Sequence, residues 1–235
     1  MNMMIKKNTA YKPSFIKSII AITRKDISAE MRSRELLSSM IVFSMLVVLI
    51  YYFALELDIK AREAITAGAL WVTFSFAGTL GLNRSMAVEK DRGCLDGLLL
   101  APVDRSAIYF GKMISNLVFM FIVEVIVIPL YAIMYNVDLL VPGFIWITVL
   151  GSIGYVAVGT LLSAMTVQTR TRDVLLPILL FPLVIPVLIA AVKASSGFIQ
   201  GSPMEEILPW MNLLIVYDIV FTAVSYMVFD NIVEE

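Results

Sequence analysis

The chain has 235 residues, of which 60% are hydrophobic and 16% are charged, and its mean hydropathy is +0.88. Soluble domains average about 45–50% apolar and about 25% charged residues, so this composition excludes a water-soluble globular protein and indicates an integral membrane protein. The sequence contains no histidine and a single cysteine, Cys94, which excludes histidine-ligated metals, histidine-dependent catalysis and disulfides within the chain.

Residues 14–34 predict an amphipathic helix ahead of the first hydrophobic segment. Apolar residues such as Ile16 and Met31 recur at helical spacing, and charged residues, including Asp26 and Glu30, fill the opposite face. A helix of this kind lies in the membrane interface, with its apolar face in the lipid and its polar face toward the headgroups. The alternative is that these residues simply extend the first transmembrane helix into the cytoplasm.

Six hydrophobic intervals follow, and each is long enough to cross a bilayer, which needs about 20 helical residues. Two of them reach this length only with an internal acid, Glu124 in the third and Asp218 in the sixth. We therefore predict an all-α integral membrane protein that forms one transmembrane domain over residues 1–235. The six transmembrane helices are expected at about 36–55, 64–83, 113–137, 143–166, 174–193 and 207–229.

Lysine and arginine are distributed unevenly over the segments that connect these spans. Alternate sides of the membrane receive 15 and 3 of the 18 basic residues. Because basic residues concentrate on the cytoplasmic side, both termini and the loop after the second span are predicted to be cytoplasmic. The segment at 36–55 follows a long charged stretch and lacks an Ala-x-Ala cleavage site, so it is not predicted to be a signal peptide.

The loop between the second and third spans predicts a short helix at about 93–101. Gly93 permits a tight turn before this helix, and Pro102 prevents its continuation. Leu95, Leu98 and Leu99 share one of its faces. Exposed leucines are unfavourable in water, so we expect the helix to dock in a groove of a cytoplasmic partner. Alternatively, it folds back on its own bundle or on the bilayer surface.

The predicted fifth span contains three prolines, Pro177, Pro182 and Pro186. Each removes a backbone donor, so the helix should bend or break, and the freed carbonyls favour protein or water neighbours over lipid. We expect this helix to form a gate or, with the first span, the contact between two copies of the chain. The alternative is that the prolines only shape helix packing.

Glu124 and Asp218 lie near the middle of their spans. An ionised carboxylate there costs about 2.5–3.5 kcal/mol on insertion scales, so each should face protein or water, or carry a proton. A functional pathway is one interpretation of these intramembrane acids. The alternative is a structural hydrogen bond to a polar residue on a neighbouring helix.

The loop after the second span carries the pattern Glu89-x-x-x-Gly93-x-Leu95-x-x-Leu98-Leu99-x-x-Pro102. Together with six spans and a preceding amphipathic helix, it resembles the permeases of ABC-2 type exporters. A narrower resemblance rests on LNRSMAVEKDRGCLDGLLLAPVDRSAIYFGK, with Trp71 ahead of it, and on LLPILLFPLVIPVLIAA at Leu175 to Ala191. These stretches are similar to the haem (heme) exporter protein B family, the permease of the cytochrome c maturation system.

The resemblance implies an ABC-2 type exporter permease fold in which the short helix is a coupling helix seated in an ATPase subunit. The chain has no GxxxxGK[ST] phosphate loop, so ATP is expected to be hydrolysed by that partner and the chain is not predicted to be an enzyme. The ATPase-coupling residues that the resemblance implies are Glu89, Arg92, Gly93, Leu95, Leu98, Leu99 and Pro102.

The resemblance also implies two permease copies, haem-handling membrane proteins and a haem chaperone as partners, in the bacterial cytoplasmic (inner) membrane. Haem is the expected cargo, either exported itself or delivered by release of the chaperone. The sequence predicts no metal or cofactor bound by this chain and no nucleic-acid partner. Its 14 methionines and three tryptophans are typical of helix packing and membrane interfaces, so none is assigned as a haem ligand.

Two other functions remain open from the sequence. A generic ABC-2 exporter of a drug, lipid or polysaccharide would use the same coupling helix with another cargo. A membrane scaffold that works without an ATPase, or an intramembrane enzyme built on Glu124 and Asp218, would not need the coupling helix at all.

Overall fold

The computed structural model describes residues 14–54, 59–91 and 93–232, with side chains except at 59–64, 95, 96, 99 and 230–232. Within these ranges the chain forms eight α-helices and no strand, which confirms the predicted all-α class. The helices are α1 (Phe15–Ser33), α2 (Glu35–Ala54), α3 (Ile59–Asp91), α4 (Cys94–Leu99), α5 (Arg105–Tyr135), α6 (Pro142–Thr166), α7 (Arg172–Gln200) and α8 (Met204–Ile232).

Six of these helices, α2, α3 and α5 to α8, are long and apolar enough to cross a membrane, which confirms the six predicted spans. Two of them extend beyond the predicted bounds at the end of the bundle that carries α1 and α4, because α3 continues to Asp91 and α5 begins at Arg105. Glu89 therefore belongs to a spanning helix rather than to a loop. We call this end of the bundle the charged end, since the ion pairs described below lie there.

The amphipathic α1 is a helix of its own and not an extension of α2. The two are separated at Arg34, whose φ of 57° places it in the left-handed region and turns the chain sharply. Glu30 Oε1 then accepts a hydrogen bond of 2.9 Å from the backbone N–H of Leu37, in the first turn of α2. This bond satisfies one of the backbone donors that every helix N-terminus leaves unpaired.

The exposed side of α1 carries the predicted apolar residues, among them Ile16, Ile20 and Met31, together with basic residues such as Lys17 and Arg24. The prediction that Asp26 and Glu30 lie on an outward polar face is wrong, because both are buried against the bundle. They share this inward face with the buried residues Ser18 and Ile22 at a spacing of four residues. Helix α1 packs along α5, and α5 supplies a buried cation that makes burial of an acid favourable.

Helices α3 and α6 are the most enclosed of the six spans. They approach closely at Gly151 of α6, where an added methyl group would overlap the indole ring of Trp71 on α3. Trp71 Nε1 in turn donates a hydrogen bond of 3.0 Å to Ser195 Oγ on α7. Small residues at helix contacts and hydrogen bonds across helices are the usual means by which spans associate in lipid.

Further polar contacts connect α6 to its neighbours inside the bundle. The hydroxyl of Tyr155 donates to the backbone carbonyl of Ser75 at 2.5 Å and lies 2.6 Å from Thr79 Oγ1 on the same helix. Asn116 Nδ2 of α5 donates to Thr160 Oγ1 at 3.1 Å. Because lipid offers no hydrogen-bond partner, such groups specify which helix faces pack together.

Candidate functional site

The short helix between the second and third spans begins with the predicted turn at a glycine. Gly93 has a φ of +68°, in the left-handed region, and its N–H donates to the carbonyl of Lys90 at 3.0 Å. Helix α4 occupies Cys94–Leu99 and ends before the exposed Pro102, so it is shorter than the predicted 93–101. Arg92 lies outside the described residues.

The leucines of α4 do not all point to solvent. Leu98 is half-buried and packs against the hydrophobic core of the bundle, so part of the predicted docking face contacts the chain itself. The side chains of Leu95 and Leu99 lie outside the described part of the chain. Leu100, which follows the last helical residue, is 87% exposed. Sequence periodicity could not find Leu100, since it is out of phase with the other leucines.

Four charged side chains meet at the charged end, and we call them the ion cluster: Lys25 and Asp26 of α1, Glu89 of α3 and Lys112 of α5. Lys112 Nζ lies 2.9 Å from Asp26 Oδ2 and 2.6 Å from Glu89 Oε2. Lys25 Nζ lies 3.1 Å from Asp26 Oδ1 and also pairs with Glu89 Oε1. The Lys112 side chain is only 1% exposed, so this ammonium group is solvated by carboxylates rather than by water.

The pKa values of Lys25 and Asp26, the two members of the ion cluster on α1, are both raised. Burial raises the pKa of Asp26, and although the ammonium group of Lys112 opposes this shift, the pKa stays above its usual value. Partial burial lowers the pKa of Lys25, but the carboxylates of Asp26 and Glu89 outweigh it and hold the pKa above its usual value. Asp26 therefore accepts a proton at a higher pH than a free aspartate does.

The ion cluster ties together both ends of the segment that carries α4. Glu89 lies in the last turn of α3, just before this segment, and Lys112 lies in the early turns of α5, just after it. Glu89 is held to α1 through Lys25, and Lys112 is held to α1 through Asp26. The ion cluster therefore joins α1 to the two spanning helices that flank the α4 segment, through charged contacts that are costly to break.

A cavity of about 70 Å³ lies beside the ion cluster, between α1, α2, α3 and α5. Glu30, Ser85 and Glu89 are among its lining residues. The cavity is large enough to admit water, so the carboxylates of the cluster can be hydrated from this side.

Outside the cluster, exposed polar contacts connect the end of α3 to two further helices. Arg172 at the start of α7 forms a two-point ion pair with Asp91, at 3.0 and 2.8 Å. Next to it, Asn83 Nδ2 donates to Asp173 Oδ1 at 2.9 Å. Arg84 reaches Glu35 of α2 at 2.8 Å. The C-terminal part of α3 therefore contacts α2 and α7 in addition to the helices of the ion cluster.

The two intramembrane acids have different surroundings in the structure. Glu124 is buried and accepts a hydrogen bond of 2.5 Å from the hydroxyl of Ser152 on α6, which is the structural contact given above as the alternative. Asp218 is also buried, but neither of its carboxyl oxygens has a hydrogen-bond partner among the described residues. It faces α6 at Gly154.

The three prolines do not break the fifth span, since α7 continues as one helix from Arg172 to Gln200. Pro177 is half-buried, whereas Pro182 and Pro186 are exposed on the surface of the chain. The two exposed prolines are four residues apart and therefore share one face of α7. They belong to a surface distinct from the ion cluster, which draws on α1, α3 and α5.

The sequence predicts only part of the ion cluster. The resemblance implies Glu89 as an ATPase-coupling residue; its side chain is 12% exposed and its carboxylate is paired within the chain. No motif in the sequence marks Lys112 as a member of this cluster. Its position within an apolar run is the one feature of the sequence that could have marked it as buried.

Six spanning helices, with a short helix on the segment between the second and third, define the class as a multi-pass α-helical membrane protein. Residues 17–233 match the model of the family described as CcmB protein. The chain belongs to this family, which confirms the predicted resemblance.

Several relatives share most of their length with the chain. Heme exporter protein B of Rhodobacter capsulatus is 28% identical over 188 residues, which cover 79% of this chain and 85% of that protein. Heme exporter protein B of Pseudomonas aeruginosa is 25% identical over 179 residues, or 76% of this chain and 80% of that protein. The protein of the same name from Bradyrhizobium diazoefficiens is 25% identical over 189 residues, or 80% and 85%.

Proposed function

We propose that the chain is the permease subunit of an ABC exporter that serves haem delivery in cytochrome c maturation. Support comes from its family and from the shared name of its relatives, which align over about four-fifths of its length. The cargo is haem itself or a haem chaperone released on the periplasmic side. A generic ABC-2 exporter has no specific observation in its favour.

The coupling role rests on one observation, the ion cluster that holds both ends of the α4 segment. The permease needs a separate ATPase subunit, which we place at the charged end, against α4 and the exposed Leu100. Closure of the ATPase pair moves α4, and the cluster passes this movement to α1, α3 and α5. Glu89 then acts as a transmitting residue inside the permease and not as a contact with the ATPase.

The orientation follows from the placement of charge. Helices α1 and α4 lie at the same end of the bundle, and the basic residues of the sequence concentrate on that side. In a bacterial cytoplasmic (inner) membrane, this end faces the cytoplasm, and both termini are cytoplasmic. The far end, which carries the short loops, then faces the haem-handling membrane proteins and the haem chaperone.

A homodimer of permeases forms through the face of α7 that carries Pro182 and Pro186. This face continues into an aromatic row, in which the ring of Phe181 lies 5.3 Å from that of Phe76 on α3. Phe76 lies 6.3 Å from Phe43 on α2. The row makes α2, α3 and α7 one continuous surface, which supports the pairing of the first and fifth spans between two copies.

Deletion and complementation test the function. A strain that lacks the chain should lose its haem-stained c-type cytochromes, and the wild-type gene should restore them. In the same strain, Leu100→Glu should reduce both the haem staining and the ATPase that copurifies with the permease, because it places a charge on the docking surface.

The matched control is Leu140→Glu. Leu140 is also an exposed leucine, 67% accessible, but it lies in the loop at the far end of the bundle. This variant should keep the copurifying ATPase, because its charge lies away from the docking surface. Normal c-type cytochromes in the deletion strain would exclude the proposed cargo, and copurification unaffected by Leu100→Glu would exclude the proposed docking surface.

A further inference from the structure

A groove between α6 and α8 plays no part in the coupling role. It opens on the side of the bundle, has a volume of about 730 Å³ and is lined mainly by apolar residues of α1, α5, α6 and α8. Phe110 and Ile153 form part of its walls, and Ile219, which is 65% exposed, lies along its rim. Asp218 is the one acid among its lining residues.

Asp218 is nine-tenths buried, yet its two carboxyl oxygens have no hydrogen-bond partner in the described part of the chain. On the α6 side it meets Gly154, where a methyl group would overlap Oδ1, and Val187 of α7 and Tyr217 lie next to that point. The hydroxyl of Tyr217 cannot serve, because it donates to the carbonyl of Leu183 at 2.9 Å. The groove is therefore the side from which a donor can come.

The other intramembrane acid, Glu124, differs from Asp218 because the chain itself supplies its hydrogen-bond donor. Glu124, on α5, receives the hydroxyl of Ser152, whereas the position of α6 that faces Asp218 is a glycine. A carboxyl group at mid-span needs a hydrogen-bond donor or a cation as its partner. A lipid acyl chain supplies neither, so lipid alone does not complete this site.

The spacing of the residues that line the groove suits contact with a helix. Its α8 side is formed by Ile215, Ile219, Thr222 and Tyr226, which recur at a spacing of three or four residues and lie along one face. Ala223 and Thr222 are small and allow close approach, as at other helix contacts in membranes. A bound helix would lie along α8 and bring one polar side chain to the depth of Asp218.

A second copy of the chain is a poor occupant. A two-fold contact through this groove would bring an identical groove and another Asp218, and two carboxyl groups placed together repel each other unless they share a proton. Lys193 is an exposed cation on α7, but it lies seven residues from the far end of its helix, whereas Asp218 lies fourteen residues into α8. The two are at different depths.

We propose that the α6–α8 groove, with Asp218 at its base, docks a transmembrane helix of another membrane protein that donates a hydrogen bond or an ammonium group to this carboxyl. The site is separate from the ATPase contact at α4 and adds a lateral partner within the membrane. The position of this carboxyl in the groove sets the depth and the helix face at which the partner binds.

A photocrosslinking amino acid at Ile219, in the intact protein and in membranes of the native cell, tests this inference. The probe should yield an adduct with one other polypeptide, mapped to a spanning segment that carries a donor side chain. Its yield should fall at least five-fold in Asp218→Leu and less in Asp218→Asn, which keeps an acceptor. The same probe at Val125, an exposed position on α5 outside the groove, is the matched control and should react with lipid.

Ala223→Trp provides a second variant that leaves Asp218 intact and fills the groove from an exposed position. It should also abolish the adduct, while the ATPase still copurifies through α4, so failure here is distinguishable from failure of the proposed function. Adducts only with lipid, only with this chain or a second copy of it, or with a yield that does not depend on Asp218 and Ala223 would overturn the proposal.

Discussion

Lys112 of α5 and Glu89 of α3 form an ion pair of 2.6 Å between Nζ and Oε2, although the lysine side chain is only 1% exposed. A lysine at this depth is unfavourable unless carboxylates replace its hydration. Glu89 and Asp26 supply that replacement from two different helices. Together these three residues hold α1, α3 and α5 in one arrangement around the α4 segment.

Removing the central cation should destabilise the protein strongly. We expect Lys112→Met to lower the free energy of unfolding by about 3–5 kcal/mol, because it leaves two buried carboxylates with only the partly exposed Lys25 as a cation. The Tm of the purified protein in detergent measures this effect, and haem-stained c-type cytochromes should fall with it. Lys193→Met, which changes an exposed lysine, is the control. Equal Tm values for the two variants would contradict the buried pair.

The ion pair between Arg172 and Asp91 should contribute much less. It has good two-point geometry, but the Asp91 side chain is 61% exposed, so water and salt screen the charges. We expect Arg172→Ala, Asp91→Ala and the double variant to have nearly the wild-type Tm, with any coupling between them lost at high salt. A salt-resistant coupling as large as the effect of Lys112→Met would show that the pair is desolvated in the working protein.

Glu124 should act as a hydrogen-bond acceptor and not as a member of a transport pathway. Ser152→Ala removes the donor and should lower the free energy of unfolding by about 1–3 kcal/mol, because the buried carboxyl is left unsatisfied. Glu124→Gln keeps an acceptor oxygen, so Tm and haem staining should stay close to wild type. Normal expression of Glu124→Gln with lost haem staining would favour a pathway role instead.

The contact between α3 and α6 should not tolerate a larger residue at Gly151. Gly151→Ala drives a methyl group into the indole of Trp71, and we expect a loss of about 1–3 kcal/mol in the free energy of unfolding. Gly68→Ala is the matched control, since nothing lies within 4 Å of a methyl group there. The control should be neutral or stabilising by about 1 kcal/mol, because alanine favours the helix. Similar Tm losses for both would contradict the close contact.

The exposed prolines of α7 test the proposed homodimer. Pro182→Ala with Pro186→Ala should abolish haem staining and reduce crosslinking between two permease copies without loss of membrane insertion, since both prolines shape the surface that pairs. Pro209→Ala, at an exposed proline on α8, is the control and should keep both. Full activity of the double variant would show that these prolines serve neither a gate nor the contact between copies.

Most of the helices were predictable because their causes are local. Apolar runs of about twenty residues predict the spans, and Gly93 stops α3 and starts α4 through its own backbone conformation. The exposed apolar residues of α1 were predictable as well, because they recur at a spacing of three or four residues. The ion cluster was not predictable in this way, because Asp26, Glu89 and Lys112 are separated by 63 and 23 residues along the chain.

The sequence by itself determined the class, the number of spans and the family, since hydrophobic length and short motifs are properties of contiguous residues. Only the tertiary structure decided which acids are paired. Asp26 resembled a surface residue, Glu124 and Asp218 resembled each other, and their environments differ because of single positions on another helix: Lys112, Ser152 and Gly154. The free energy of a buried charge is set by the group that faces it, and that group comes from a distant part of the chain.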